Sequence, residues 1–244
     1  MQKKKFSNEL CYLIGLVLIA CNVALATKAN IGVSVVVAPA YLVYLKLSSL
    51  LPWLTFGRAG YIFQALLLLI MVVIVRKFRL NFLFSFVTAV ISGKLLDLLL
   101  SLMAFDATEM WQRLLLFILS MIMGATGVSF MFHTYISPEI YELFVMEVSA
   151  KAKIPQTKFK IIYDYSSCVL AIVMSFLFFG FGHFEGIKAG SIINALVNGW
   201  VIKWISARLA ERFEFVDTCP RLVALFRSVN EKDNDSGVKS DENA

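Results

Sequence analysis

Charged side chains are scarce in this sequence. Asp, Glu, Lys and Arg make up only 16% of the 244 residues, whereas hydrophobic residues make up 59%. A soluble domain commonly carries about 25% charged residues, and the mean hydropathy of +0.76 lies far on the apolar side. The composition therefore excludes an ordinary soluble globular domain and predicts an integral membrane protein.

Residues suited to metal binding or covalent catalysis are equally sparse, with two histidines and four cysteines in the chain. His133 follows the fourth predicted span and His183 the fifth, so they lie on opposite faces of the membrane and cannot share a metal ion. The cysteines lack the paired spacing of a zinc site or a disulfide framework. We therefore expect no metal, no cofactor and no catalytic residues, and we do not expect an enzyme.

Uncharged runs are abundant, and they set the fold class. Four of them have the roughly 17–25 residues that a spanning helix needs: residues 10–26, 59–75, 114–132 and 165–182. Two further runs are long enough only if charges are admitted. Residues 80–105 contain two charges, and residues 187–209 carry basic residues near their ends, where such side chains can snorkel. The sequence predicts an all-α polytopic membrane protein with six transmembrane helices within residues 1–212.

Basic residues are concentrated in alternate connections between the spans. With the N-terminus inside, the inner segments hold Lys3, Lys4, Lys5, Arg76, Lys77, Arg79, Lys151, Lys153, Lys158, Lys160 and the basic set from Lys203 onward. The outer segments hold only Lys28, Lys46, Arg58, Arg113 and Lys188. This positive-inside asymmetry predicts a multi-pass membrane protein with both termini in the cytoplasm. It also accounts for the net charge of +6, so the expected partner is the lipid bilayer and not nucleic acid.

Two connections are apolar but too short to span. Residues 28–46 are interrupted by Gly32 and Pro39, which predicts a re-entrant or interfacial half-helix after the first span. Residues 136–151 predict an amphipathic helix at the cytoplasmic face. After the last span, residues 213–229 predict an interfacial amphipathic segment, and residues 230–244 predict a disordered cytoplasmic tail.

The order of span, broken connection, span and span occurs twice, in residues 10–105 and residues 112–210. Gly93 and Gly199 are 106 residues apart, at related positions in the two halves. Because each half has three spans, an odd number, the second half would enter the bilayer upside down. The sequence therefore predicts two inverted three-helix repeats, the plan of many secondary transporters.

Several longer stretches form a diffuse pattern: LATKANIGVS, APAYLVYLK and FGRAGYIFQALLLLI in the first half, and SPEIYELF, IIYDYSSC and GIKAGSIINALVNG in the second. From about residue 10 to residue 209, this pattern resembles the YczE/YitT-like group of small bacterial integral membrane proteins. Val35 stands where relatives often have proline, and Lys188 disturbs a glycine-rich turn. The resemblance implies a six-helix membrane fold of two related halves in the bacterial cytoplasmic (inner) membrane, and it implies no particular substrate.

Polar residues inside the spans are the candidate binding residues, because polar groups are costly in lipid. Lys94 and Asp97, three apart on one helix, are expected to face the interior and neutralise each other. They form either a self-contained structural pair or the lining of a polar cavity. Asp164 is either stabilised near a helix N-terminus or binds a cation or proton. Asn194 and Asn198, one turn apart, either hold helices together or contact a ligand.

The leading functional hypothesis is a small membrane transporter, or the membrane-embedded substrate-binding component of one, for an unidentified small molecule or ion. The sequence has no G-x-x-x-x-G-K-[ST] loop for ATP, so energy is expected from an ion gradient or a separate energising subunit. The alternative is a non-transporting accessory or regulatory membrane protein that supports another membrane complex. Both hypotheses leave open whether the chain forms a homo-oligomer.

Overall fold

The computed structural model describes residues 4–180, 185–220 and 223–224, and helices dominate that part of the chain. In chain order the helices are α1 (Asn8–Ala29), α2 (Ala38–Leu47), α3 (Phe56–Val75), α4 (Leu80–Leu102), α5 (Met110–Met131), α6 (Ile140–Ala152), α7 (Gln156–Phe179) and α8 (Ala189–Arg212). Two short strands, β1 (Lys4–Ser7) and β2 (Phe213–Val216), pair in parallel.

The prediction of an all-α, multi-pass membrane protein is confirmed. Among the described residues, five helices are long and apolar enough to cross a membrane: α1, α3, α4, α5 and the Lys158–Phe179 part of α7. The segment predicted over residues 213–229 begins with strand β2 and not with a helix. His183, the tail at residues 230–244 and most of residues 221–229 lie outside the described residues.

Local sequence signals explain where helices begin and end. Ser7 precedes α1 and its Oγ accepts a hydrogen bond from the Leu10 N–H at 3.4 Å, while Thr55 does the same for Arg58 at the start of α3, at 3.3 Å. Such side chains satisfy amide groups that have no partner within the helix. Asn30 ends α1 in the left-handed conformation, with φ of 52°, which asparagine adopts more readily than most residues.

Helix packing follows a paired pattern. The most extensive interface joins α1 to α5; α1 also packs on α4, as α5 packs on α8. Within each half the short helix contacts the next one, α2 on α3 and α6 on α7, and it also crosses to the other half, α2 to α7 and α6 to α3. Two pairs break the pattern. Helices α3 and α4 pack closely whereas α7 and α8 do not, and α6 packs on α4 with no comparable contact between α2 and α8 in the described residues.

Glycines explain why α3 and α4 approach so closely. A Cβ atom on Gly57 would collide with the carbonyl oxygen of Gly93, and one on Gly93 would lie 2.7 Å from the Gly57 oxygen. Small residues allow this backbone contact between membrane helices. Gly199, the expected counterpart of Gly93, has no atom within 4 Å of an added Cβ. The two halves therefore differ at the position where the first half is tightest.

Helix α6 does not lie on the surface as an amphipathic helix, so that prediction was wrong. It packs against α3, α4 and α7, and it buries apolar side chains on most sides of its first three turns, among them Ile140, Val145 and Val148. The acidic residues that gave the segment its amphipathic pattern are partly held inside the bundle, where α3 and α7 cover them.

The close α3–α4 contact gives a stability prediction. We expect Gly57→Ala to destabilise the protein by about 1–3 kcal/mol, because the added methyl group must push the two helices apart. The matched control, Gly199→Ala, is expected to stay within about 0.5 kcal/mol of wild type. Thermal unfolding in detergent, followed by the fraction of monodisperse protein, measures both. A Gly57→Ala variant as stable as the control would contradict the close backbone contact.

Candidate functional site

Lys94 and Asp97 do not pair with each other, so the prediction that both face the interior as a neutralising pair was wrong. Lys94 is exposed on the α4 face that also exposes Ile91. Asp97 turns towards α3, where its Oδ2 accepts from Thr55 Oγ1 at 2.6 Å and its Oδ1 from the Gly57 N–H at 2.7 Å. A carboxylate is stabilised there by free amides and by the positive end of the helix dipole.

The other predicted residues lie elsewhere. Asp164 pairs within its own helix, with Lys160 Nζ at 2.8 Å from its Oδ1. Asn194 on α8 is buried, and its Oδ1 has no hydrogen-bond partner in the described residues; Asn198, one turn later, is half-buried. The structure therefore does not bring these side chains together with Asp97 at one place. Ligand binding by any of the five predicted residues stays a prediction.

Two small cavities lie away from all five. One of about 10 Å³, room for a single water molecule, is lined by residues that include Asn30, Tyr41 and Lys188. The other is an open groove of about 220 Å³ along the end of α8, where the Arg208 guanidinium lies 5.2 Å from the Trp204 ring. Neither cavity has the buried polar lining of a solute-binding site.

A buried carboxylate that the sequence analysis did not single out lies at the start of α6. Glu139 is 8% exposed. Its Oε2 accepts a hydrogen bond from Gln64 Nε2 at 3.3 Å, while its Oε1 has no hydrogen-bond partner in the described part of the chain. Gln64 Oε1 in turn accepts from the Ile140 N–H at 3.1 Å, which fixes the amide so that its NH₂ group faces the carboxylate.

The surroundings of Glu139 favour its neutral form. Glu139 lies in the connection before α6, outside the helices that qualify as spans. Burial raises the pKa of its carboxyl group, and the nearby charge of Glu142 acts in the same direction. The Ser92 hydroxyl and the Gln64 amide oppose this shift in the pKa, but they do so only as neutral donors. A negative charge on Glu139 therefore has no compensating cation beside it among the described residues.

Further ionisable groups connect Glu139 to the start of α7. Burial raises the pKa of Glu142, while the Lys160 ammonium lowers it and the Asp164 carboxylate raises it. Lys160 also lies 5.5 Å from the Tyr163 ring. The side chains of Lys160 and Asp164 are 38% and 26% exposed. This cluster of ionisable residues thus extends from the buried Glu139 carboxylate to the partly exposed Lys160–Asp164 ion pair.

Neutral hydroxyl groups hold the connection before α6 against α1 and α4. Thr88 Oγ1 lies 2.8 Å from Tyr12 Oη and donates to the Ser137 carbonyl oxygen at 3.3 Å. The Ser137 hydroxyl donates to Asn81 Oδ1 at 3.0 Å. These contacts satisfy a non-helical stretch of backbone and so place Glu139 next to Gln64.

One sequence signal pointed to this cluster. Gln64 is an amide inside the apolar run of α3, and a buried amide requires partners from outside its own helix. Glu139 itself gave no such signal, because it follows Pro138 in a short polar stretch that reads as exposed. Only the fold of α6 into the bundle brings the two side chains together.

The geometry of Asp97 generates a second prediction. We expect Asp97→Ala to cost about 1–2 kcal/mol of stability, because it removes two hydrogen bonds at the start of α3. Lys94→Ala should be nearly neutral, and the double variant should equal the sum of the two within about 0.5 kcal/mol, since the side chains do not interact. Thermal unfolding in detergent completes this double-mutant cycle. A coupling above about 1 kcal/mol would indicate that the charges pair after all.

One family model matches this chain over residues 6–207, a range that contains every helix contributing to the Glu139 cluster. Comparison with curated proteins gives no match. Comparison with solved structures gives none either. The matched range covers most of the chain, so the protein belongs to DUF6198, a family of unknown function.

Proposed function

We propose that this protein is a small multi-pass membrane transporter whose pathway lies between two inverted halves and is driven by an ion gradient. The observation that carries the proposal is the placement of two short helices, α2 and α6, inside the bundle. Val35 and Val36, which lead into α2, belong to the same buried apolar cluster as Ile140 and Tyr141 at the start of α6. Broken helices that meet inside a bundle form the binding region of many secondary transporters.

Six spans are part of this proposal, because the two ends of the described chain lie together. Strand β1 pairs with β2, and Glu9 at the start of α1 accepts hydrogen bonds from the Thr218 and Cys219 N–H groups at 3.2 and 2.8 Å. An odd number of spans would separate these ends by the whole bilayer. Helix α8, with 24 residues, therefore joins the five more apolar helices as the sixth span.

The inverted repeat is supported by the paired packing of the helices. An axis through the α1–α5 interface would exchange α4 with α8, α2 with α6 and α3 with α7. Under that exchange the α1–α4 contact corresponds to α5–α8, the α2–α3 contact to α6–α7, and the α2–α7 contact to α6–α3. All six contacts are present. The same exchange places α2 and α6 in the membrane from opposite sides, as two re-entrant half-helices. The resemblance to YczE/YitT-like proteins implies six helices in two related halves.

The orientation follows from charge. The end of the bundle that holds β1 and β2 is also the end at which α3 stops and α4 begins, where Arg76, Lys77 and Arg79 lie. The positive-inside rule assigns this end to the cytoplasm. We therefore propose a bacterial inner-membrane protein with both described ends inside.

Cysteine labelling tests the six-span topology. In a variant whose native cysteines are replaced by serine, we expect Glu185→Cys to react with a membrane-impermeant maleimide in intact cells, because it lies between α7 and α8 on the outer face. Asp217→Cys, just after β2, should react only after the membrane is permeabilised. Labelling of both positions from the same side would remove α8 from the spans.

Transport itself is tested in vesicles of bacterial lipid that contain a pH-sensitive dye and carry an imposed pH gradient. Pools of amino acids, sugars, nucleosides, organic ions and inorganic ions are added in turn. We expect at least one pool to accelerate proton movement above the rate in protein-free vesicles, and we expect Gly199→Ala protein to retain that rate. Folded protein that responds to no pool, either in this assay or in a parallel one with a sodium gradient and a sodium-sensitive dye, would overturn the proposal.

A second function, as an accessory protein for another membrane complex, is favoured by a separate observation. Lys94 is exposed on α4, and a lysine facing lipid near the centre of a helix costs roughly 2.5–3.5 kcal/mol. Helix α8 also presents an open face with Gly199 and with Trp200, which is 78% exposed. Protein contacts at these two separate places would cover the lysine and the open face. Correct insertion without any solute-dependent flux would favour this second function.

A further inference from the structure

Glu139 is a charge-bearing group without a counter-charge. The side chain is more than nine-tenths buried, and its Oε1 accepts no hydrogen bond from the described residues. An isolated carboxylate is strongly disfavoured in an apolar interior. The group must therefore take up a positive ligand or become neutral.

The chemistry around Glu139 selects a proton over a metal ion. Gln64 presents its NH₂ group, because its oxygen is occupied by the Ile140 N–H, and Ser92 adds one hydroxyl. A bound metal cation needs several oxygen ligands at once, and the residues beside Glu139 offer few. Neither of the two cavities lies beside Glu139, and a hydrated ion would need such a space. A proton requires no space.

We propose that Glu139 is a reversible proton-binding site, and that Glu142 and Asp164 form the route between it and the membrane face at which α7 begins. Binding converts the Glu139 carboxylate into a carboxylic acid, so its charge changes from −1 to 0, and release returns the proton unchanged. In the proposed transporter this step supplies the coupling to a proton gradient. That use rests on the proposed function, whereas the proton site itself does not.

The groups that face Glu139 from each neighbouring element allow this titration. Helix α3 contributes the Gln64 amide and α4 the Ser92 hydroxyl. The phenol of Tyr12 on α1 lies close enough to sense the Glu139 charge. On α6 itself, the Glu139 charge acts on the Tyr141 phenol, and the Glu142 charge acts on Glu139.

Helix α7 supplies ionisable groups that are more exposed than Glu139. Helix α7 packs against α6, where the Tyr163 ring lies 5.4 Å from the Phe144 ring, and the charges of Lys160 and Asp164 act on Glu142. Exposure rises from Glu139 to the Lys160–Asp164 pair. In the opposite direction, Val35, Val36 and Met71 form part of an apolar cluster with Ile140. The more exposed ionisable groups therefore lie on the α7 side of Glu139, and an apolar cluster lies on the other side.

Infrared difference spectroscopy tests the site directly. Full-length protein in lipid nanodiscs is titrated between acidic and alkaline pH, and the carbonyl band of a protonated carboxylic acid is recorded. We expect a band that titrates near neutral pH and is lost in Glu139→Gln. The matched control is Glu147→Gln, on the same helix, whose carboxylate pairs with Arg79 at 3.0 Å; this variant should keep the band. A band unchanged by Glu139→Gln would overturn the proposal.

Stability against pH gives a second readout. Burial raises the pKa of Glu139, so the folded protein binds the proton more tightly than the unfolded chain, and this contribution to stability is lost as pH rises through the folded pKa. We expect the melting temperature of Glu139→Gln minus that of wild type to increase as pH rises. The same difference for Glu147→Gln should show no such trend. If Glu139→Gln does not fold, Glu139→Asp should fold and shift the titration midpoint; an unshifted midpoint would contradict the assignment.

The outcomes separate the two proposals. A Glu139 band that titrates in a protein without any solute-dependent flux would leave the proton site in place and remove the transport function. Flux that persists undiminished in folded Glu139→Gln would leave the transporter in place and remove the proton site as its coupling group.

Discussion

Backbone amides outside regular helices must find partners within the protein when water is absent, and this constraint organises the centre of the bundle. The Ile140 N–H at the start of α6 is satisfied by Gln64, at 3.1 Å. Before α2, the Val33 N–H donates to the Gly186 carbonyl oxygen at 3.3 Å. Each short helix is thus covered by elements of the other half of the chain. The crossed packing of the two halves follows from that requirement.

The first and second halves of the chain differ in how closely their last two long helices pack. In the first half, Gly57 and Gly93 bring α3 and α4 into backbone contact, and Asp97 fixes the junction by binding the start of α3. In the second half, α7 and α8 remain apart and Gly199 faces open space. The α3–α4 pair is therefore joined by direct backbone contact, whereas α8 presents an open surface to lipid or to a partner.

Hydropathy predicted the long helices well, because burial in lipid demands a continuous apolar run whatever the fold. Site residues were harder to predict, because a spacing along one helix does not show which neighbouring element competes for a side chain. Asp97 and Lys94 illustrate this: the spacing of three allows a pair, but the start of α3 offers Asp97 stronger donors. Glu139 was missed for the opposite reason, since its burial depends on α6 folding into the bundle, which the local sequence does not specify.

The contact between the two ends of the chain also constrains the order of assembly. Glu9 accepts hydrogen bonds from Tyr135 Oη and from the Cys219 N–H, at 2.7 and 2.8 Å, and its partner residues are synthesised long after α1 has been made. Contacts of such long sequence separation form slowly, since a large loop must close first. During biogenesis α1 therefore packs against α4 and α5 first. Glu9 gains its last partners only after the strand that follows α8 has been synthesised.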